Sequence, residues 1–292
     1  MLNKKDRILA DIPTYSICNL HDNDTDDVVV VSLKPYLLSA RSVVFPHRHS
    51  FYQVLYITHG GGRHIIDFET YPVNKGVVYF LSPGQIHEWD FDENTDGILI
   101  NFSASFFSTF LANSNYLNDF LFFSSNGKHS VISFNAEEGI EHIFRQVLDE
   151  YALCKENYTD IIRALLLTLF VLANRKIEAG NKHKDPYLFR QLLTFEKLVD
   201  QHFMKKRLPK EYAELMFITP NYLNAICNKL TGRSAGEFIR QRILLEVKRL
   251  LVNSAFSVSE IAWQLNFDNN SYFSRFFKKY EHISPEDFKK KK

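Results

Sequence analysis

Residues 210–232, KEYAELMFITPNYLNAICNKLTG, and residues 258–282, VSEIAWQLNFDNNSYFSRFFKKYEH, decide the reading of this chain, because they are two versions of one pattern. Each opens with a short helical run carrying Ala at its fourth or fifth residue. A tight turn follows, then a longer run that begins with small polar residues and repeats apolar ones at 3/4 spacing. Two short helices joined steeply by a tight turn make a helix-turn-helix unit. Ala213 and Ala262 supply the small side chain needed where such helices cross closely. Asn266 suits the turn, because Asn tolerates the left-handed conformation better than most residues.

The flanking sequence is helical as well. Thr219-Pro220 reads as a cap with proline at the first helical position, Gly232 as a stop, and Ser257 with Glu260 as the start of a further helix. Asp268 is the expected cap of the last long helix, and Ser284-Pro285-Glu286 opens a short terminal one. The helix between the two units spans about 18 residues, or about 27 Å at 1.5 Å per residue. One duplex turn is about 34 Å, so two probing helices held that far apart can enter successive major grooves. Charge agrees with a polyanion partner. Residues 187–292 hold 19 basic against 11 acidic side chains, whereas residues 1–186 hold 16 against 23. The last four lysines supply part of that excess, and the asymmetry survives without them.

The front half reads differently. From Val28 to about Phe102, runs such as VVVVSL, FYQVLYIT, HIIDF, GVVYFL and GILINF recur at roughly ten-residue spacing between turn residues, as in a sandwich or barrel. His59-Gly60-Gly61-Gly62 is expected to close a hairpin with positive φ angles. From Ser105 to Arg175 the pattern turns helical, and the apolar run after Asp160 predicts a buried helix. These helices are expected either to form a dimer interface or to cover the open end of the barrel. The boundaries that follow are an arm or edge at 1–27, a barrel at 28–105, a helical packing region at 106–175, a linker at 176–186 and a helical domain at 187–292. Its helix-turn-helix units lie at about 209–231 and 258–281.

Composition excludes several classes. The 292 residues suit about two domains. Cys18, Cys154 and Cys227 form no CxxC pair, so neither a zinc knuckle nor a disulfide framework is expected. The N-terminus has no apolar core of a signal peptide, and the longest apolar stretch, Ile161 to Ala173, is too short for a membrane span. A cytoplasmic protein with no membrane partner is expected. No serine-histidine-acid spacing or phosphate-binding glycine loop is present.

On TGRSAGEFIRQRILLEVKRLL (231–251) and SVSEIAWQLNFDNNSYFSRFFKKYEHISPEDFK (257–289), the chain resembles the AraC/XylS family of transcription regulators over about residues 190–289. The resemblance implies a two-domain α+β chain: an N-terminal cupin-like β-barrel with accessory helices and an all-α tandem helix-turn-helix domain. It implies sequence-specific binding to double-stranded DNA and no enzymatic activity. Carried over by position, the second recognition helix would face bases with Asn270, Ser271, Ser274 and Arg275. The first would use Thr219, Asn221, Tyr222, Asn224 and Ala225. Lys229, Lys278 and Lys279 would meet phosphates. Arg275 can contact guanine O6 and N7 bidentately, and Asn270 or Asn224 can pair with adenine. Ala225 stands where many members carry a longer polar side chain, so the first unit would read fewer bases.

PHRHSFYQVLYITHGGG (46–62) and GVVYFLSPGQIHEWDF (76–91) look like the cupin barrel that precedes the DNA-binding unit in such regulators. In metal-binding cupins, two histidines one residue apart, an acidic residue and a later histidine hold the metal. The matching positions are His47, His49, Gln53 and His87. Residues 47, 49 and 53 share parity, so on one extended strand they point to one face. Three imidazoles could bind Zn²⁺ or Fe²⁺, but Gln53 removes the carboxylate. Three readings stay open: a metal site, an effector pocket lined by His47, His49, Gln53, His87 and Trp89, and plain hydrogen-bonded barrel residues. The effector pocket is the expectation taken, with no metal or cofactor assigned and a sugar or other small polar metabolite as ligand. Tyr52, Tyr56 and Tyr79 are expected to pack on the other face against helices. The family resemblance adds a homodimer and contact with RNA polymerase. The competing function is a metal-dependent cupin enzyme fused to a DNA-binding unit. A DNA-repair alkyl acceptor is disfavoured, because no cysteine lies in a Pro-Cys-His-Arg context.

Overall fold

The computed structural model describes residues 12–20, 27–39, 42–108, 116–124, 129–180, 185–253 and 256–291. The chain divides into one compact unit of Thr14–Lys182 and another that contains His183–Lys292. Most of the predicted arm, including the acidic run up to Asp26, lies outside the described residues.

The first unit contains β1 (Thr14–Tyr15), α1 (Ile17–Leu20), β2 (Val28–Ser32), α2 (Leu33–Leu37), β3 (His47–His49), β4 (Tyr52–His59), β5 (Gly62–Ile66), β6 (Glu69–Pro72), β7 (Val77–Leu81), β8 (Ile86–Phe91), β9 (Asp96–Phe102), α3 (Ala104–Ser108), β10 (Val131–Ser133), α4 (Ile140–Leu153) and α5 (Tyr158–Gly180). The strands form two five-stranded sheets, ordered β1-β3-β8-β5-β6 and β10-β7-β4-β9-β2. β1 joins the first sheet parallel to β3, so part of the 1–27 segment is a sheet edge. An apolar core including Ile66 and Trp89 of the first sheet and Leu55, Ile57, Tyr79, Leu81 and Leu99 of the second lies between the two. Alternate residues of the second sheet, among them Tyr52, Val54, Tyr56, Phe80 and Phe102, point outward onto α4 and α5.

Several expectations need correction. The glycine turn closes no hairpin: β4 and β5 belong to different sheets, and the turn carries the chain from one to the other. Gly60 and Gly62 hold φ of +106° and +105°, and a Cβ on Gly60 would sit 2.3 Å from Thr95 Cα, so the corner requires glycine. Residues 47, 49 and 53 do not share a strand. The chain changes sheet between β3 and β4, and Gln53 reaches the interior from the opposite wall. Tyr79 points inward and donates from its hydroxyl to Pro72 O at 2.8 Å. The 105–175 region is not all helix, since β10 pairs with β7. Its helices cover a sheet face, not the barrel end, because the outward side chains of the second sheet are large and apolar. The linker is shorter than expected: α5 runs on to Gly180, held by the buried Ile177 and by Lys176 paired with Glu138 at 2.5 Å.

The second unit is helical: α6 (Pro186–His202), α7 (Pro209–Leu215), α8 (Pro220–Thr231), α9 (Ala235–Asn253), α10 (Val258–Gln264), α11 (Asn270–Glu281) and α12 (Pro285–Lys291). Asp185 caps α6, Thr219 caps α8 and the Ser257–Glu260 capping box opens α10. The cap of α11 is Asn269, not Asp268: its side chain accepts from Tyr272 N at 2.7 Å.

The aromatic layer between sheet and helices is a test of this packing. The Phe170 ring lies 5.3–6.3 Å from those of Phe80, Phe102, Phe107, Phe120, Phe122 and Phe123. Phe170→Ala is expected to cost about 3–5 kcal/mol in urea unfolding of the full chain; a loss below about 1 kcal/mol would contradict the placement.

Candidate nucleic-acid interface and barrel site

The two helix-turn-helix units match nearly residue for residue. Ala213 and Ala262 are both fully buried at the crossing. The turns are held by Phe217 at φ 55° and Asn266 at φ 54°, with Ile218 N bonded to Ala213 O and Phe267 N to Ala262 O. From the caps onward the units stay in step. Thr219 and Asn269 cap twelve-residue helices, each accepting from a tyrosine amide, and Gly232 and His282 end them at φ 71° and 61°. Tyr222 therefore matches Tyr272, Ala225 matches Arg275 and Lys229 matches Lys279.

Periodicity separates two faces on each long helix. Leu223, Ile226, Cys227 and Leu230 of α8, and Phe273 and Phe277 of α11, are buried. Asn221, Tyr222, Ala225 and Lys229 are exposed on α8, as are Asn270, Ser271, Arg275, Lys278 and Lys279 on or at the start of α11, while Ser274 is half-buried. Two expected base readers already have partners. Asn224 Oδ1 accepts from Ala235 N at 2.9 Å, which ties α8 to the start of α9. Asn270 Nδ2 donates to Ser259 Oγ at 2.7 Å, which ties α11 to α10. Arg275 lies back along its own helix, with Nε 3.3 Å from Ser271 O, a weak exposed contact that a base edge can replace. Tyr272, half-exposed beside Ser271, was not singled out from sequence; the repeat itself is the signal that pairs it with Tyr222. Burial pushes the Cys227 thiol up to about 12, which suppresses thiolate chemistry there.

The barrel site is a ladder of imidazoles on the inner face of the first sheet. His47 pairs with His87 across β3 and β8, and His64 pairs with Trp89 across β5 and β8. His47, His49, His64, His87 and Trp89 are all buried. Sequence reading missed His64; its parity with Ile66, opposite the β8 strand, was the available clue. The Trp89 indole can only donate, so His64 Nε2, at 3.0 Å, must accept. His87 Nδ1, at 3.1 Å from the same nitrogen, then carries a proton, because two facing lone pairs repel. His47 Nδ1 donates to Phe45 O at 2.7 Å. Both His47 and His87 are thereby left with an unprotonated Nε2, and His87 Nε2 lies 3.3 Å from His49 Nε2.

His47, His49 and His87 each offer a ligand atom within 4.8 Å of the others. Zinc–nitrogen bonds of about 2.0–2.1 Å place tetrahedral ligands about 3.3–3.4 Å apart; His87 Nε2 and His49 Nε2 meet that spacing at 3.3 Å, whereas the set of three, within 4.8 Å, has to draw together around an ion. Gln53 stands outside it. Its amide donates to Asn101 Oδ1 at 3.0 Å, while its Oε1 has no hydrogen-bond partner among the described residues. The imidazole centroids of His47, His49 and His87 are 4.2–4.7 Å apart, which is contact distance. An organic effector bound at these side chains has to insert between them or lie over them.

Such a barrel in one chain with paired helix-turn-helix units defines a DNA-binding regulator with a ligand-binding domain. Residues 35–170 match the model of the AraC-like ligand binding domain, and residues 212–291 match a helix-turn-helix domain. The chain belongs to the AraC family of transcription regulators, and its relatives are transcriptional activators, not enzymes. It is similar to the HTH-type transcriptional activator RhaS of Klebsiella pneumoniae (strain 342), 22% identical over 276 residues, covering 92% of this chain and 96% of the relative. RhaS of Citrobacter koseri (strain ATCC BAA-895 / CDC 4225-83 / SGSC4696) is 23% identical over 266 residues, covering 89% and 91%. Among solved structures, ToxT from Vibrio cholerae aligns at 14% identity over 90% of this chain and 98% of that one, with a TM-score of 0.42. Among the described residues, no helix is long and apolar enough to cross a membrane.

Burial holds His47 near a pKa of about 4 and His64 near about 3, and lowers His87 well below its usual value. In the unfolded chain all three protonate near pH 6.5, so between pH 6.5 and 4 the unfolded state takes up protons that the folded state does not. Stability therefore falls with pH in that window, by up to about 1.4 kcal/mol per pH unit for each histidine. Chelator-treated protein should unfold at lower urea at pH 5 than at pH 7, and His64→Leu should flatten the dependence. A midpoint equal at the two pH values would contradict the neutral ladder.

Proposed function

We propose that this chain is a cytoplasmic, sequence-specific transcription regulator that reads two successive major-groove segments through α8 and α11 and is switched by a small molecule held in its barrel. The observation that carries the reading is the repeat in register, which puts exposed polar and basic side chains at matching positions of two capped helices. Arg275 takes guanine, and Ser271 and Ser274 read adjoining bases. Asn221 and Tyr222 serve the first unit beside Thr219. Lys229, Lys278 and Lys279 neutralise phosphates. Asn224 and Asn270 act on DNA only through whatever bonding capacity their structural contacts leave. With Ala225 opposite Arg275 in the repeat, the second unit carries more of the base discrimination.

Barrel and DNA-binding unit are coupled by population shift: a ligand with unequal affinity for two arrangements of the chain moves it toward one. A second copy of the chain, paired through the α4–α5 layer, would double the DNA contacts, and RNA polymerase is the downstream partner. The effector is a small polar metabolite, a sugar among them, held by His47, His49, Gln53, His87 and Trp89.

The test is a mobility-shift series on duplexes selected from a randomised pool. Arg275→Ala is expected to lose about 1–3 kcal/mol of specific binding and relax selectivity at one base pair, whereas Lys279→Ala weakens all duplexes similarly and lowers the salt slope by about one. Unchanged affinity and selectivity of the Arg275 variant would remove that residue from the interface.

The tautomer-locked imidazoles favour a second reading of the barrel, in which the signal is a divalent transition metal on His47, His49 and His87. Metal analysis of purified protein separates the two. Stoichiometric zinc or iron lost in His47→Ala supports the metal; none bound, with a sugar or other polar metabolite raising the unfolding temperature, supports the organic effector.

A further inference from the structure

The two helix-turn-helix units are linked end to end by α9, and they are also tied across by side chains away from that axis. On the connecting helix itself, Lys248 lies 3.3 Å from Glu281 and holds α11 to α9. The tie across comes from the loop between α6 and α7, which leads into the first helix-turn-helix unit. The Arg207 guanidinium donates to Leu265 O and lies 4.2 Å over the Phe267 ring. Asn266 Nδ2 donates to Met204 O at 3.1 Å. All three consecutive residues of the second unit's turn, 265 to 267, are thus gripped from the first unit.

The gripping loop is itself fixed to α7. Arg207 N donates to Glu211 Oε2 at 2.8 Å, and Tyr212 Oη donates to Lys206 O at 2.8 Å. The chemistry suits the task. Leu265 ends α10, where carbonyls lack helical partners and the helix dipole favours a cation. A planar guanidinium can bond that carbonyl while stacking on an aromatic face, which an ammonium cannot do as well. Asn266 adds a second function to its backbone role. Glycine would accept φ 54° with less strain but would have no amide to reach Met204.

The geometry points to Arg207 and Asn266 as positioning residues that set the rotational phase between α8 and α11, and so the spacing of the two DNA segments the protein accepts. This rests on the proposal that both helices read one duplex. An end-to-end helix fixes separation; an off-axis tie fixes rotation. Each added base pair turns the second segment by roughly 34–36° about the DNA axis, so a locked pair of helices tolerates no insertion.

The experiment uses the full chain and a duplex selected by it from a randomised pool, together with versions carrying one or two base pairs inserted between the protected segments. The wild-type chain is expected to lose about tenfold or more in affinity per inserted pair. Asn266→Gly, which keeps the left-handed turn, and Arg207→Met are expected to hold the parent duplex within about threefold and to lose most of the penalty for the insertions. Arg207→Lys should fall between. Circular dichroism of each variant separates loss of phase from loss of fold, and Asn266→Gly carries the test if Arg207→Met unfolds. Variants that keep the wild-type spacing penalty would overturn the positioning role while leaving the two-helix reading intact. A wild-type chain that protects one segment, or ignores insertions, would overturn both.

Discussion

Everything in the DNA-binding unit depends on two close helix crossings, each built on a buried alanine and a residue held at positive φ. A larger side chain at Ala213 or Ala262 would separate the paired helices and change the angle at which the second one projects. The left-handed residue after the first helix makes the reversal short enough for the crossing to form, and the cap that follows starts the second helix at a fixed residue. Because the N-caps Thr219 and Asn269 are both tied to a tyrosine amide three residues on, the exposed faces of α8 and α11 begin at the same place in the turn. A chemical repeat becomes a geometric one in this way.

Those constraints also divide the polar residues of α8 and α11 into two kinds. Asn224 and Asn270 spend hydrogen-bonding capacity on holding α8 and α11 to their neighbours. Arg275, Lys278 and Lys279 remain exposed at the surface. The difference between the units at Ala225 and Arg275 is then a difference in chemistry on one frame.

The barrel follows another logic. Its second sheet gives its outer face to α4 and α5 through aromatic packing, and its inner face to the core shared with the first sheet. Into that apolar interior the first sheet projects four imidazoles, and burial keeps those of His47, His64 and His87 uncharged. Trp89 orders His64 and through it His87, because a group that only donates fixes its acceptor, and that acceptor fixes the next ring; the Phe45 carbonyl orders His47. The tautomers of His64 and His87 are therefore set by the protein rather than by solvent.

The sequence alone determined the helical half almost completely. Helix-turn-helix units, caps, the burial of Ala213 and Ala262 and the left-handed Asn266 are local matters, set by 3.6-residue periodicity and by side chains bonding amides two or three positions away. Only the cap of α11 was displaced, by one residue, since Asp268 and Asn269 are chemically near-equivalent. In the barrel, sequence gave strands and the parity of His47 and His49, but sheet membership required tertiary structure. The glycine corner at 60–62, the inward Tyr79, the opposite wall bearing Gln53 and the fourth imidazole at His64 all follow from which strands pair. Pairing is decided by long-range contacts that no local pattern encodes. The same holds for the Arg207 guanidinium: Leu265, whose carbonyl it bonds, lies 58 residues away, and nothing in its own neighbourhood announces that contact.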